Sequence, residues 1–218
     1  MPSAASGPDA ARRLGVLGGT FDPPHIGHLI LADQCRRALG LERVLVVPAG
    51  HPPHKPTAGL TSFSRRVEMA RLAFPEDEGF GIETLEGERD GPSYTVETLQ
   101  ELRRAGGAGI RLWLLMGSDS LEELETWKAP ERIVALCRLA VYGRPGSETA
   151  HRQSPWTTQV DPVTGPLVEL SSTQLREMAR AGRSLRYLVP AAVASYIRRN
   201  NLYGAPRSGA QSPQGDRR

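Results

Sequence analysis

Gly18-Gly19-Thr20-Phe21-Asp22-Pro23-Pro24-His25-Ile26-Gly27-His28 lies between an apolar run, Leu14-Gly15-Val16-Leu17, and a longer one, Leu29-Ile30-Leu31-Ala32-Asp33-Gln34-Cys35. The first run reads as a strand and the second as a helix, so a glycine turn and two histidines fall where a strand hands over to a helix. In open α/β sheets that junction is where nucleotides bind. The first N–H groups of a helix lack partners and the macrodipole is positive there, so anions are attracted. His25 and His28 are three apart and can share one side of the first helical turn. The chemistry this implies is the handling of a phosphate chain.

Working outward, strands alternate with helices, which predicts parallel βαβ units and an α/β, Rossmann-like, doubly wound parallel sheet. Strands are expected at 14–18, 43–48, 80–84, 110–116, 138–142 and 167–170. Helices are expected at 26–39, closed by Gly40, and at 62–74, 94–105, 172–181 and 191–199, with two short helices broken near Pro130 within 119–137. The run Ile110 to Met116 is almost wholly apolar, as a central buried strand should be. Residues 144–166 read as loop. The expected organisation is a disordered lead-in at 1–12, a single domain at 13–204 and a disordered tail at 205–218, the tail being poor in apolar residues.

The chain's 218 residues are enough for one substantial domain. No run of about 18 apolar residues occurs, and residues 1–9 lack the apolar core of a signal peptide, so a cytoplasmic protein is expected. Cys35 and Cys137 read as buried reduced thiols. The net charge is +3, but the residues from Pro206 carry +2 and those up to Arg13 carry +1, which leaves the remainder neutral. A nucleic-acid partner is therefore not expected, and Arg198-Arg199 reads as a solvated helix end.

Four further segments carry chemistry. Ser171-Ser172-Thr173-Gln174-Leu175-Arg176 has a capping-box pattern after an expected strand; its N–H groups, hydroxyls and arginine suit a triphosphate. His51-Pro52-Pro53-His54-Lys55 offers a lysine to phosphate. Its histidines with His25 and His28 raise a four-histidine zinc site, set aside because no H-E-x-x-H motif accompanies them and the prolines give an open loop. Gly91-Pro92-Ser93-Tyr94-Thr95 leads a loop into a helix. Gly117-Ser118-Asp119 ends the buried strand, where an Asp can accept from both ribose hydroxyls. Trp127 follows, either stacking on a flat heterocycle or packing in the core. Neither a P-loop nor a G-x-G-x-x-G fingerprint is present.

Together these segments resemble the bacterial nicotinate-nucleotide adenylyltransferases of the H-x-G-H nucleotidyltransferase superfamily, from about Leu14 to Tyr203. The H-x-G-H segment alone indicates only the superfamily; the combination is more specific, and Val189-Pro190, Val193, Tyr196-Ile197 and Leu202-Tyr203 resemble that family's ending. The resemblance implies adenylyl transfer from ATP to nicotinate mononucleotide, giving deamido-NAD and pyrophosphate. It implies that Gly18, Gly19, Thr20 and Phe21 line a wall shared by both nucleotides, and that His25, His28 and Lys55 contact phosphate. Thr95, Trp127 and the backbone at Lys128 would then read the pyridine nucleotide, Gly117 and Asp119 the adenosine ribose, and Ser172, Thr173 and Arg176 the β- and γ-phosphates. His25, His28, Lys55 and Arg176 are the catalytic set so implied.

The residue chemistry agrees. A phosphate monoester loses its second proton near pH 6, so the nucleophile needs no general base, and catalysis rests on alignment and charge stabilisation. Mg²⁺ is expected to arrive on ATP oxygens, with no dedicated metal site in the protein. Pantetheine-phosphate adenylyltransferase or a cytidylyltransferase would be the alternatives within the superfamily, and a non-catalytic pyridine-nucleotide sensor the alternative outside catalysis. Self-association is left open.

Overall fold

In a computed structural model, residues 11–52, 59–143 and 154–204 are described. Six parallel strands form one sheet: β1 (Arg12–Gly19), β2 (Arg43–Pro48), β3 (Phe80–Ile82), β4 (Ile110–Gly117), β5 (Arg138–Gly143) and β6 (Val160–Thr164). Their spatial order is β3-β2-β1-β4-β5-β6. The strand order reverses beside β1, which pairs with β2 on one side and with β4 on the other. That switch point is where an open α/β sheet leaves a crevice beyond the carboxyl ends of its strands.

Helices cover both faces. On one lie α1 (Ile26–Ala38), α2 (Phe63–Ala73), α6 (Ser172–Arg180) and α7 (Ala191–Arg199), burying Cys35, Met69, Leu175 and Ile197 against Val44, Val46 and Leu115. On the other lie α3 (Thr95–Gly106), the short α4 (Ser118–Glu122) and α5 (Pro130–Leu136), which bury Leu99, Leu121 and Ile133 against Val16, Leu112, Leu114 and Leu139. Sandwiching of this kind explains the unbroken apolar runs of the central strands. Gly40 follows α1 in the left-handed region, as expected of a helix-terminating glycine.

The sixth strand corrects the sequence expectation. Leu167 to Leu170 are not a strand, and Leu167 is 42% exposed; the strand is Val160–Thr164, inside the expected loop. Its Asp161 and Pro162 hid it. Pro162 is tolerated because β6 is an edge strand. Asp161 accepts from Trp113 Nε1 at 2.8 Å and from Arg138 Nη2 at 2.7 Å, and Arg138 holds its carboxyl below the usual range. β1 also begins earlier than expected, at Arg12, whose guanidinium meets Glu42 at 2.9 Å. The expected lead-in over 1–10, His54, Lys55, the loop at 144–153 and the tail at 205–218 lie outside the described residues.

Candidate active site

The carboxyl ends of β1 and β4 are bare backbone. A Cβ added at Gly18 or at Gly117 would meet nothing within 4 Å, so both positions face open space. Beside Gly117 opens a cavity of about 300 Å³, lined by His25, Gly27 and His28 of the α1 N-terminus, Gly117 and Asp119 after β4, and a wall from Pro166 to Leu170. Tyr142 of β5 pins that wall by donating its hydroxyl to the Pro166 carbonyl at 2.6 Å.

His25 is the N-cap of α1 and is buried, at 6% exposure. Its backbone N–H donates to His28 Nδ1 at 3.2 Å, which makes Nδ1 the acceptor and assigns the proton of a neutral His28 ring to Nε2. The two imidazoles are in contact with centroids 3.7 Å apart and planes tilted by 34°. Burial pushes the His25 pKa down to about 4, so this ring is neutral at neutral pH and donates from one nitrogen only. Gly27 makes the packing fit: a Cβ there would lie 3.1 Å from His25 Nδ1. The Phe21 ring lies under this pair, edge-on to His28 at 5.1 Å between centroids. It is 1% exposed, so the Phe21 side chain meets no ligand and supports the site from within.

The second phosphate segment docks on the same loop. Ser171 caps α6: its Oγ accepts from Gln174 N at 3.2 Å, while Gln174 Oε1 accepts from Ser171 N at 2.9 Å. Such caps contribute about 1 kcal/mol to helix stability. Ser172 Oγ donates to the Pro23 carbonyl at 2.9 Å, and Arg176 Nη1 donates to the Asp22 carbonyl at 2.9 Å. Arg176 Nη2 also reaches Thr173 Oγ1 at 3.2 Å. The α6 N-terminus thus sits against the turn that delivers His25, and a guanidinium stands beside it.

Thr95 and Trp127 are not in this cavity. Both lie on the opposite face of the sheet, Thr95 as the first residue of α3 and Trp127 packed against the core that holds Leu121 and Leu124. Their region is tied to the β2 loop by a reciprocal pair: Ser93 N donates to His51 O at 2.8 Å, and His51 N donates to Ser93 Oγ at 2.9 Å. The expected segments at 51–55 and 91–95 therefore meet. Lys128 spans this half, with Nζ 2.8 Å from Glu97 Oε1 and 3.9 Å from the Tyr94 ring centroid. Trp156, within the expected loop, packs on the same core face.

Sequence reasoning missed two buried polar residues behind the site, Asp22 and Arg66, and the half-buried Tyr203. Asp22 is 0% exposed and accepts from Thr61 N at 3.1 Å and from the Tyr203 hydroxyl at 2.5 Å. Arg66, 1% exposed, donates to the carbonyls of Thr20, Gly50 and Thr61. Asp22 lay inside the motif and Tyr203 in the C-terminal segment, but nothing in their spacing signals the pairing. Among the described residues no group of three or more His, Cys, Asp and Glu could hold a metal ion. No helix among them is long and apolar enough to cross a membrane.

Known proteins share this arrangement. The cytidylyltransferase-like family model matches residues 16–178. A protein of Geotalea daltonii named "Probable nicotinate-nucleotide adenylyltransferase" is 39% identical over 216 residues, covering 89% of this chain and all of the relative. One of the same name from Thermomicrobium roseum is 42% identical over 196 residues, covering 88% of this chain and 91% of the relative. Among solved structures, the Plasmodium falciparum nicotinic acid mononucleotide adenylyltransferase complexed with NaAD superposes with a TM-score of 0.74 at 18% identity, covering 89% of this chain and 98% of that one, which bears on the fold. By its motif set, its sheet order and its full-length relatives, the chain belongs to the nicotinate-nucleotide adenylyltransferase family of nucleotidyltransferases, enzymes of NAD biosynthesis.

Proposed function

We propose that the cavity between β1 and β4 holds ATP, and that the chain transfers its adenylyl group to nicotinate mononucleotide, forming deamido-NAD and pyrophosphate. The observation that carries this is the crevice itself: bare backbone at Gly117, faced by two imidazoles and by the α1 N-terminus. A phosphate oxygen of the mononucleotide attacks the α-phosphorus in line. The bond from that phosphorus to the bridging oxygen breaks, and its electron pair leaves with pyrophosphate. No covalent enzyme intermediate forms.

The residues serve alignment and charge. His28 Nε2–H and the neutral His25 ring donate toward the phosphate oxygens, His28 near the α/β bridge. Arg176 spends Nη1 on the Asp22 carbonyl, and its remaining N–H groups meet the β- and γ-phosphates. Ser172 uses its hydroxyl proton on Pro23, so its contribution to phosphate is its main-chain N–H, joined by Thr173. Asp119 takes the adenosine ribose. Gly19, Thr20 and Phe21 present main chain to both nucleotides, while Thr95 and Trp127 take the pyridine ring and its carboxylate. Lys55 completes the phosphate contacts. Mg²⁺ carried on ATP oxygens neutralises charge on the polyphosphate. The loop carboxylate, Asp22, is engaged by Thr61 and Tyr203, which favours a metal that enters with ATP over one caged by the protein. A cytoplasmic setting is supported by two buried free thiols, each pushed up to about 12 by burial.

The test is pyrophosphate release with ATP and Mg²⁺, comparing nicotinate mononucleotide, nicotinamide mononucleotide and phosphopantetheine. Fastest turnover with nicotinate mononucleotide is expected. Turnover confined to phosphopantetheine would overturn the substrate, and ATP binding without turnover on any of the three would overturn the catalytic reading.

A further inference from the structure

Phe21 is a buried, non-glycine residue held in the left-handed region, at φ 50. For a bulky residue that conformation is strained and persists only where the surroundings impose it. The ring it orients supports two parts of the site at once. It lies edge-on to His28, and its Cζ comes within 3.0 Å of where a Cβ on Gly19 would stand. Were Phe21 to relax, the ring would leave from beneath both.

The constraints flank Phe21 on each side. Before it, the Thr20 carbonyl accepts from Arg66 Nη1 at 2.9 Å. The same guanidinium donates through Nε to Thr61 O at 3.0 Å and through Nη2 to Gly50 O at 3.2 Å, so one side chain joins the β1–α1 loop, the β2 loop and the approach to α2. After it, the Asp22 carboxylate is held by Thr61 N and by the Tyr203 hydroxyl. Burial and the Asp22 carboxylate both raise the Tyr203 pKa, so its hydroxyl stays a donor. Neither Arg66 nor Tyr203 lines the cavity.

We infer that Arg66 and Tyr203 are positioning residues for adenylyl transfer, holding Phe21 in its strained conformation and so fixing His28, His25 and Gly19 in the crevice. This rests on the function proposed above. They act on geometry in the transition state more than on ATP affinity, because neither lines the cavity.

The test uses the full-length Tyr203→Phe protein, which keeps the ring and removes the one hydroxyl on Asp22. Turnover is measured well below its melting temperature, with nicotinate mononucleotide and ATP varied in turn, and the His25 imidazole is titrated by NMR without nucleotide. The expected result is a kcat at least about tenfold lower with both KM values within roughly threefold of wild type, the size expected of a sub-ångström misalignment. The His25 titration should also rise from about 4, because a loosened loop hydrates the ring. Arg66→Lys keeps the charge but loses the planar fork, and is read identically should Tyr203→Phe fail to fold. A folded variant with wild-type kcat overturns the inference. So does a loss expressed wholly as raised KM, or a His25 titration left in place. A wild-type protein silent with both nucleotides would instead overturn the function proposed, while the imidazole titration would still report on the brace.

Discussion

Gly27→Ala separates stability from catalysis at the centre of the site. Alanine is favoured over glycine within a helix by at most about 1 kcal/mol, and near a helix start by less. For a domain of this size that corresponds to a melting temperature raised by no more than about 2–4 °C. The added Cβ would stand 3.1 Å from His25 Nδ1 and 3.2 Å from its Cε1. Ordinary heavy-atom contacts lie at about 3.5–4.0 Å, so the imidazole must retreat by about half an ångström. It cannot retreat alone, because its face rests on His28 at 3.7 Å between centroids. Both phosphate donors therefore shift, and a displacement of this order should cost about 10- to 100-fold in kcat. The assay is pyrophosphate release at saturating substrates, beside thermal unfolding of the same preparation. Wild-type kcat in a protein of unchanged melting temperature would refute the role given to the His25 position. A melting temperature lowered by more than about 5 °C would show that backbone, rather than the ring, absorbs the methyl group.

His28→Ala should lower kcat by orders of magnitude while the fold survives, whereas Trp127→Ala should chiefly raise KM for the pyridine nucleotide; an effect of Trp127→Ala on the ATP KM alone would remove it from that pocket. Acid should weaken the fold through His25. The unfolded chain takes up that proton near pH 6.5 and the folded chain only near pH 4, so this contribution is fully present above about 6.5 and is lost as pH falls toward 4, by about 3 kcal/mol in all. Urea unfolding of wild type and His25→Gln between pH 7 and 4 should show the variant with the flatter slope, and parallel slopes would contradict the burial argument. Gly50→Ala would set a Cβ 2.0 Å from the Glu86 carbonyl oxygen, a contact with main chain that cannot swing aside. It should cost about 1–3 kcal/mol, read as a lower urea midpoint at unchanged m.

The histidine loop and the capped helix start of the proposed site were legible because their signals are local. Gly18-Gly19, His25 and His28 follow one another at a strand-to-helix junction, and Ser171 with Gln174 announces a cap within four residues. The doubly wound parallel sheet, though not its strand order, followed from alternating strands and helices. What could not be read depends on residues distant in the chain. Arg66 looks like a solvated position on an amphipathic helix; three carbonyls from separate loops converge on it and make burial tolerable. β6 was obscured because an edge strand can carry Asp161 and Pro162, while the more apolar Leu167 to Leu170 became cavity wall. Trp127 and Lys128 were seen, but not that Lys128 ties their loop to α3 through Glu97.

The Tyr203–Asp22 hydrogen bond joins residues 181 positions apart, and Arg176 and Ser172 reach the same turn across 154 and 149 positions. A ribosome making this chain thus delivers every strand of the sheet before Ser172, Arg176 and Tyr203, although Thr61 and Arg66, the turn's other anchors, are made earlier. Domains begin to fold from their N-terminal parts during synthesis, so a chain truncated after Thr164 keeps all six strands and yet lacks the Tyr203 side of the brace on Phe21. A truncated product of that kind is expected to turn over poorly without needing to be unfolded.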